Sequence, residues 1–355
     1  MTTLDSGLDL VAEERAFSSV HGDEWDDFAA ASGESFLGAW GVIKARRFFG
    51  RVRLFDFLLA DRLGSRRKVG QCAVQVRNQK VTFLDKIQLL PAHRQLNRRC
   101  LDLLAAEFGR VTYQYGSHWN VEDDFDLKDL PRFDVDRKIF HLDLIEFREW
   151  TNFAAYRRAV SENIRRDYKK AKEACAVSRT YYGLEGLRDL FAFVAMRRYM
   201  SRRNNLRFSG VRDYLTHVGR LLVLGKKAFV TTVMIKGTCY AAFFGAEVGN
   251  RLYYLSGGTR SNHLGAGSYL FLNLIENWFA KHPDGELLMG DCPKPLTVTR
   301  HDRGNLLYRR KLRVRSVNGV EFQLRPNQQP AIPPLAESTQ KVEPEPAKRA
   351  RSAHA

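Results

Sequence analysis

The alternation of apolar and polar residues predicts strands in two separate parts of the chain, and each set of strands is followed by a helical pattern. In the first part, the alternating segment 69–90 precedes an amphipathic helix at 95–108. In the second part, strands within 227–257 precede an apolar helix at 268–281. This repeated order of strands, helix and strand indicates a duplicated unit.

The other elements follow from the same two periods. Helical spacing predicts helices at 25–59, 147–174, 184–203 and 211–224. Alternation and turn residues predict strands at 111–115, 138–144 and 287–290, with a last hairpin at 312–324 around Asn318-Gly319. An acidic loop is predicted at 122–136, between two of these strands.

These patterns and the changes in composition divide the chain into four segments. Residues 1–22 are polar and are predicted to form a flexible leader, and residues 23–150 form an N-terminal unit. Residues 151–325 form a C-terminal unit that begins with a basic linker helix. Residues 326–355 are rich in proline, alanine, glutamate and lysine, and we expect a disordered tail because such a segment buries too little apolar surface to fold.

Composition narrows the classes of function. The net charge of +17 predicts attraction to phosphates, nucleic acid or anionic lipid headgroups, and a solvated basic surface is the alternative. The five cysteines form no Cys-x-x-Cys pair, so neither a disulfide framework nor a metal site is predicted. Because the sequence has no signal-peptide pattern and no apolar run long enough to span a membrane, we expect a cytoplasmic protein.

Residues 252–269 carry the strongest functional signal. An aromatic strand runs into a glycine-containing loop, and an apolar helix begins directly after it. The glycines of this segment are Gly257, Gly258, Gly265 and Gly267. Glycine lets the backbone approach an anion closely, and the first N–H groups of a helix bind anions, so this order of elements predicts a phosphate site. The alternative is a helix-capping turn that needs glycine for its shape.

The segment 227–313 resembles the GNAT fold of the general-control-related N-acetyltransferases. The loop Asn262-His-Leu-Gly265-Ala-Gly267 is similar to the family's pyrophosphate loop, Arg/Gln-x-x-Gly-x-Gly/Ala, with Asn262 in the first place. Leu288-Met-Gly-Asp291 is similar to the family's strand that ends in Asp-x-Gly, and Tyr308-Arg309 stands where the family tends to have Tyr-Lys.

The basic helix at 163–172 is similar to that of the branch with two tandem GNAT units. That branch contains the Fem-type peptidyltransferases of cell-wall synthesis and bacterial acyltransferases often found with polysaccharide genes, of the BioF-like acetyltransferase domain type. The resemblance implies an α/β fold of the α+β type, with two GNAT-like units whose mixed, mostly antiparallel sheets are flanked by helices. The N-terminal unit is then degenerate, since its matching junction, Leu90-Pro91-Ala92, lacks glycines.

The resemblance also implies acyl transfer from acyl-CoA, either acetyl-CoA or a longer one, to an amine or hydroxyl acceptor. The implied donor-binding residues are Gly265, Gly267, Asn262, Arg260 and Ser256. Asp291 is the candidate general base that takes a proton from the amine, and Tyr308 is the candidate acid toward the leaving thiolate. The structural alternatives are a turn-forming aspartate and a core tyrosine.

A further group of candidates for binding an anionic acceptor consists of Arg165, Arg166, Lys169 and Tyr269. The basic helix also fits a tRNA acceptor stem or an anionic membrane surface, and a solvated helix face is the structural alternative. Two other functions therefore stay open. One is a Fem-type peptidyltransferase that uses aminoacyl-tRNA, and the other is a non-catalytic basic module that binds nucleic acid or a membrane surface.

By analogy with the polysaccharide-associated relatives, we expect a small-molecule or glycan amine as acceptor, in cell-envelope or exopolysaccharide biosynthesis. The basic surface adds the expectation of a peripheral place at the inner membrane.

Overall fold

The computed structural model describes residues 8–33, 35–121, 130, 133–260, 264–291 and 300–327, with Asp291 and most of residues 300–305 described by their backbone alone. Its α-helices are α1 Gly22–Ser32, α2 Trp40–Arg46, α3 Asn97–Phe108, α4 Phe153–Ala159, α5 Glu162–Glu173, α6 Leu187–Arg203, α7 Gly210–Leu224, α8 Ala266–Lys281 and α9 Arg300–Lys311. Its β-strands are β1 Asp9–Arg15, β2 Arg51–Ala60, β3 Arg66–Arg77, β4 Lys80–Phe83, β5 Gln88–Leu89, β6 Thr112–Val121, β7 Phe133–Glu146, β8 Val177–Tyr182, β9 Ala228–Ile235, β10 Thr238–Val248, β11 Arg251–Thr259, β12 Glu286–Asp291 and β13 Arg315–Pro326.

The strands of the described residues form one 13-stranded mixed sheet. Its order is β1-β2-β3-β4-β6-β13-β7-β12-β11-β10-β9-β8, and β5 pairs with β3. Two neighbouring pairs are parallel, β4 with β6 and β11 with β12, and the helix between the strands of each pair is α3 or α8, respectively. The same strand–helix–strand topology thus occurs once in each half of the chain, which confirms the predicted fold class and its duplicated unit.

The two units are joined by an exchange of strands at the centre of the sheet. The last strand, β13, lies between β6 and β7 and pairs with both of them. β7 in turn pairs with β12 through residues 142–146. Each unit is therefore completed by a strand from the other half of the chain, so the two halves share one continuous sheet.

Helices cover both faces of the C-terminal part of the sheet. Neighbouring side chains of β10 point to opposite faces, as in any strand, so that Phe243 packs with α5 and α8 while Phe244 packs with α6 and α7. Ile164 of α5 and Phe193 of α6 are fully buried in these two layers. Among the described helices, none has the length and apolar character that crossing a bilayer requires.

Several predicted elements agree with the structure to within a few residues. These are the helices predicted at 95–108, 184–203, 211–224 and 268–281 and the strands predicted within 227–257. Of the tail predicted at 326–355, all residues after Asn327 lie outside the described residues.

The predicted hairpin at 312–324 is wrong. β13 continues without a turn through Asn318 and Gly319, which pair with His141 and Phe140 of β7. Asn-Gly is a strong local turn signal. Here, partner strands on both sides keep the segment extended.

Three predictions in the N-terminal half are wrong in part. Asp9–Arg15, within the expected flexible leader, pair with β2 as an edge strand. The helical pattern expected through residue 59 ends with α2, and Arg51–Ala60 form β2, where apolar residues are buried on both faces of the sheet. Phe133–Asp136, expected in an acidic loop, belong to β7, while residues 122–129 lie outside the described residues.

The long helix predicted at 147–174 consists of two helices. α4 ends at Ala159, and Ser161 begins α5 as an N-cap whose hydroxyl accepts a hydrogen bond from the Ile164 N–H at 3.4 Å. β8 and α9 were not predicted, because β8 has no fully buried position and α9 is too basic to show an apolar stripe.

Candidate active site

The strands β11 and β12 separate in the middle of the C-terminal unit. They pair only through Arg251–Tyr253 and Glu286–Leu288. β11 continues to Thr259, but none of its residues after Tyr253 pairs with β12 among the described residues. Among the described residues, this part of β11 has no partner strand on that side, so its backbone groups can bond a ligand.

The opening leads into a cavity of about 850 Å³. Its walls come from the end of α6 and the segment after it, from β10, β11 and β12, from the first two turns of α8, and from α9. Three of the glycines singled out in the sequence, Gly257, Gly258 and Gly267, line it. Gly258 also permits close packing, since a Cβ there would lie 2.8 Å from the backbone carbon of Met196 on α6.

Gly265 has a structural role of its own. It is the N-cap residue of α8 and has a φ of +69°, in the left-handed region that favours glycine. A Cβ at this position would lie 2.0 Å from the backbone oxygen of Asp167 on α5. The capping-turn alternative therefore accounts for Gly265, while Gly267, two residues further along the chain, lines the cavity.

An aromatic wall borders the cavity between β11, α8 and α9. Phe271 lies between Tyr254 and Tyr308, with ring centroids 5.6 Å and 5.7 Å away. The Tyr308 hydroxyl is buried and makes no hydrogen bond by distance and angle with a described residue. Burial raises the pKa of Tyr308 well above its usual range, and the nearby Ser268 hydroxyl lowers it only in part. Tyr308 is therefore a neutral phenol that has a donor to offer to a ligand.

Arg309 fixes α9 to the end of β12. Its Nη2 donates to the Met289 carbonyl at 2.8 Å, and its Nη1 donates to Asp143 Oδ2 at 2.9 Å. Asp143 is 1 % exposed, and its other oxygen accepts a hydrogen bond from the Ser316 hydroxyl. This buried ion pair holds the neighbouring Tyr308 at the cavity wall.

Ser256, a predicted donor-binding residue, bonds to α7 instead. A β-bulge at Leu255 turns Ser256 to the sheet face opposite Tyr254. There its Oγ lies 2.9 Å from Nε2 of His217. Nδ1 of His217 lies 2.7 Å from the Asp213 carbonyl, which can only accept, so Nδ1 carries the proton and Nε2 accepts from Ser256. Burial is the main cause that lowers the pKa of His217 to about 4.

Arg260 lies directly after Thr259, which lines the cavity. Its backbone N–H donates to the Tyr240 carbonyl at 2.9 Å, and its own carbonyl accepts from Arg203 Nη1 at 2.8 Å. Its Nε is buried and has no hydrogen-bond partner among the described residues. The side chain is thus a polar group next to the cavity with one unused donor.

Two predicted residues cannot be assigned a contact. Asn262 lies outside the described residues, and for Asp291 the description stops at the backbone. That backbone lies at the end of β12, opposite Leu142 of β7. The roles of Asn262 and Asp291 stay predictions.

The basic helix forms a surface separate from the cavity walls. Arg165, Arg166 and Lys169 are exposed on α5, which packs against α8. Tyr269 of α8 is only 8 % exposed and stacks on Tyr168 of α5, with ring centroids 5.3 Å apart. Tyr269 therefore packs between helices, while the three cations face solvent.

The segment after α6 was missed in the sequence. Asn204, Asn205 and Leu206 line the cavity together with Arg203, the last residue of α6, and the side-chain nitrogen of Asn204 is buried without a hydrogen-bond partner among the described residues. The polar run that directly follows an apolar helix was the available signal. A buried amide donor without a partner costs free energy, so this one can gain by bonding a ligand in the cavity.

A polar network fills the corresponding position in the N-terminal unit, between β4 and β6. Asp85 accepts from Asn120 Nδ2 at 2.9 Å and from the Ser35 backbone N–H at 3.0 Å. The Ile87 backbone N–H donates to the Tyr115 hydroxyl at 3.2 Å. These polar groups bond to one another within the N-terminal unit, whose junction Leu90-Pro91-Ala92 has no glycines.

Residues 157–289 match the family model described as the acetyltransferase (GNAT) domain. The fold is similar to that of FemX, with a TM-score of 0.63 and 10 % identity over 88 % of this chain and 96 % of that one. It is also similar to a conserved protein of unknown function from Bacteroides thetaiotaomicron VPI-5482, with a TM-score of 0.54 and 9 % identity over 87 % and 98 % of the two chains. None of the curated protein sequences gives a significant match.

The matched segment runs from α4 to β12 and includes β11, the first turn of α8 and most of the cavity wall. Residues 157–289 are therefore similar to a GNAT acetyltransferase domain, and the predicted resemblance is confirmed. At these levels of identity the two solved structures support the fold alone. The fold is that of two GNAT-like units that share one sheet, and the second unit carries the match to the acetyltransferase family.

Proposed function

We propose that this chain is an N-acyltransferase that moves an acyl group from acyl-CoA to an amine. The observation that carries the proposal is the cavity between β11 and β12, where an unpaired strand edge meets the first turn of α8. Its volume of about 850 Å³ falls within the range of roughly 300–1,000 Å³ that is usual for sites of drug-sized ligands and cofactors.

The donor would use three features of this cavity. Backbone N–H groups at the start of α8, around Gly267, suit the diphosphate of CoA because a helix N-terminus attracts anions. The unpaired edge of β11 offers N–H groups that polarise the thioester carbonyl. The glycines Gly257 and Gly258 keep this edge clear of side chains.

The reaction forms a bond between the acceptor nitrogen and the acyl carbon and breaks the bond from that carbon to sulfur. The acceptor nitrogen loses a proton, and Asp291 at the end of β12 is the proposed base. Tyr308 is neutral and gives its proton to the leaving sulfur, so that CoA departs as the thiol and the phenol is reprotonated from solvent. Arg309 is a positioning residue, since its bonds to β12 hold α9 in place. Positioning of the two reactants supplies most of the acceleration.

A transfer assay tests this function. The full chain is incubated with acetyl-CoA or a longer acyl-CoA and a panel of amines and amino sugars, and release of the CoA thiol is measured together with the mass of the product. We expect amine-dependent release, with a higher KM for acyl-CoA in Arg203→Gln than in Arg202→Gln. Both arginines lie at the end of α6, but only Arg203 lines the cavity among the described residues. Equal KM values, or thiol release without acyl-amine, would contradict the proposal.

The acceptor class follows from analogy with the tandem branch. We propose an amine of a glycan or its precursor, in cell-envelope or exopolysaccharide biosynthesis. Amino sugars should therefore be the best acceptors of the panel, and a preference for unrelated amines would refute this choice.

A second candidate is a Fem-type transferase that takes its donor from aminoacyl-tRNA. The exposed cations of α5 favour it, because clustered cations bind nucleic-acid backbone. Under this alternative, deacylated tRNA binds tightly at low salt, and the logarithm of the affinity falls steeply with the logarithm of the salt concentration. Removing the charges of Arg165, Arg166 and Lys169 would weaken tRNA binding and leave CoA binding unchanged. Failure to bind tRNA at low salt would exclude this candidate.

A further inference from the structure

A second cavity, of about 460 Å³, lies at the N-terminus of α7. Its lining includes Arg197 of α6, Arg207 and Ser209 of the connecting segment, and Arg212 and Asp213 of α7. Neither the proposed donor site nor the basic helix α5 contributes to it. The pocket is therefore a separate feature of the C-terminal unit.

The charges of this pocket do not balance. Asp213 is its carboxylate, and Arg197 Nε lies 3.0 Å from Asp213 Oδ2, so these two charges neutralise each other. Arg207 and Arg212 are exposed and make no ion pair with any described residue. Two positive charges thus line the pocket without an ion-pair partner in the described part of the chain, in a protein that is already strongly basic.

The backbone adds a further attraction for anions. α7 has 15 residues, and its N-terminal end opens at the pocket, where Ser209 is the N-cap. The positive end of the helix dipole therefore points to the same space as Arg207 and Arg212. A helix N-terminus together with guanidinium groups binds an oxyanion with several acceptor oxygens, such as phosphate.

One segment of the chain forms part of the wall of both the pocket and the donor cavity. Of the residues that connect α6 to α7, Asn204, Asn205 and Leu206 line the donor cavity, and the following Arg207, Phe208 and Ser209 line the arginine pocket. The segment 204–209 therefore belongs to the walls of both cavities.

A second link runs through the protein. Asp213, at the pocket, bonds to His217 through its carbonyl, and His217 bonds to Ser256 of β11. Two residues after Ser256, Gly258 lines the donor cavity. This chain of contacts joins the arginine pocket to β11, the strand that borders the donor cavity.

We propose that this pocket binds a phosphate group on the acceptor, so that the substrate is an amine that also carries a phosphate. This assignment rests on the proposed acyl transfer. The volume of about 460 Å³ admits a phosphate with part of the attached molecule. Arg207 and Arg212 bind the phosphate oxygens, Arg197 stays with Asp213, and the amine extends past the Asn204 segment toward the donor cavity.

Titration with inorganic phosphate tests the pocket directly. The thermal midpoint of the full chain is measured at constant ionic strength, with acetate as a carboxylate comparison. We expect phosphate to raise the midpoint more than acetate, and an apparent affinity about tenfold weaker in the double variant Arg207→Gln/Arg212→Gln. The matched control Arg198→Gln/Arg202→Gln removes the same charge from exposed positions of α6 outside the pocket and should retain the response.

The possible outcomes distinguish the proposed phosphate pocket from the proposed acyl-CoA site. An equal loss in both double variants, or an equal response to acetate, means an adventitious ion only and overturns the pocket. A response to CoA without a response to phosphate also overturns the pocket but leaves the donor site intact. A phosphate response that depends on Arg207 and Arg212 without any CoA response supports the pocket while the proposed function fails.

Discussion

Replacing Tyr308 by phenylalanine should slow acyl transfer without weakening the fold. The Tyr308 hydroxyl is buried at the cavity wall and lacks a hydrogen-bond partner among the described residues. A buried polar group without a partner costs about 1–3 kcal/mol of stability. Because the Ser268 hydroxyl is close enough to act on the pKa of Tyr308, we expect the lower end of that range. Tyr308→Phe should therefore raise the free energy of unfolding by up to about 1 kcal/mol.

Tyr156 provides the matched control. It is also a buried tyrosine of the C-terminal unit, but its hydroxyl donates to the Leu312 carbonyl at 2.9 Å. Tyr156→Phe leaves that carbonyl unpaired and should lower the free energy of unfolding by about 1–2 kcal/mol. The two variants remove the same atom, so the sign of the difference reports whether the hydroxyl is used within the fold.

Urea denaturation gives the two stabilities, and amine-dependent release of CoA thiol gives the activity. Loss of a positioned proton donor lowers turnover by about 100-fold or more. We expect that loss in Tyr308→Phe and near-normal turnover in Tyr156→Phe. If Tyr308→Phe is as destabilising as Tyr156→Phe and keeps its turnover, the hydroxyl is a structural group and the reasoning is wrong.

Three other changes test the account. Gly265→Ala should lower the free energy of unfolding, measured in urea, by about 2–4 kcal/mol because of left-handed backbone strain and overlap with α5. Gly64 has a φ of +85° and open space around it, so Gly64→Ala should cost only about 1 kcal/mol, and equal losses would contradict the close approach of Gly265 to α5. His217 has its folded pKa lowered to about 4 from 6.5, so the unfolded state takes up its proton first and stability falls by up to about 3 kcal/mol as the pH drops through this window. His217→Gln should remove this contribution to the pH dependence of the free energy of unfolding. An unchanged pH dependence in the variant would refute the role given to His217. Arg309→Met should cost about 3 kcal/mol because it leaves the Asp143 carboxylate buried without its charged partner, and adding Asp143→Asn should recover part of that loss.

The sequence was sufficient to predict those elements and site residues that depend on a local pattern. The helix α8 and the strands around it follow from periodicity, and the glycine segment before α8 identified the wall of the main cavity. The β-bulge at Leu255 was beyond such reasoning, because it depends on how β10 and β11 pair. Strict alternation puts Ser256 on the same face as Tyr254, and the bulge sends it to α7 instead.

Contacts between distant parts of the chain were not visible in the sequence either. β13 was predicted as a hairpin because its Asn-Gly pair is a local turn signal, yet its two partner strands come from the other half of the chain. The pairing of Arg309 with Asp143, separated by 166 positions, has the same origin. The sequence identified Gly265 as a candidate donor-binding residue, but the structure places it in close contact with Asp167 of α5. A variant such as Gly265→Asp would therefore disturb this packing, and a loss of donor binding in it would not show a binding role.

The most direct test of the central claim is CoA binding to a chain whose main cavity is blocked. Gly304 of α9 lines the cavity, and a Cβ added there would meet no atom within 4 Å, so a large side chain is tolerated by the backbone. The thermal midpoint of the full chain, Gly304→Ala and Gly304→Trp is measured with and without CoA. We predict that CoA raises the midpoint of the unmodified chain and of Gly304→Ala but not that of Gly304→Trp, while neither variant has a lower ligand-free midpoint than the unmodified chain. A full CoA response in Gly304→Trp, or none in the unmodified chain, would contradict a donor site between β11 and β12.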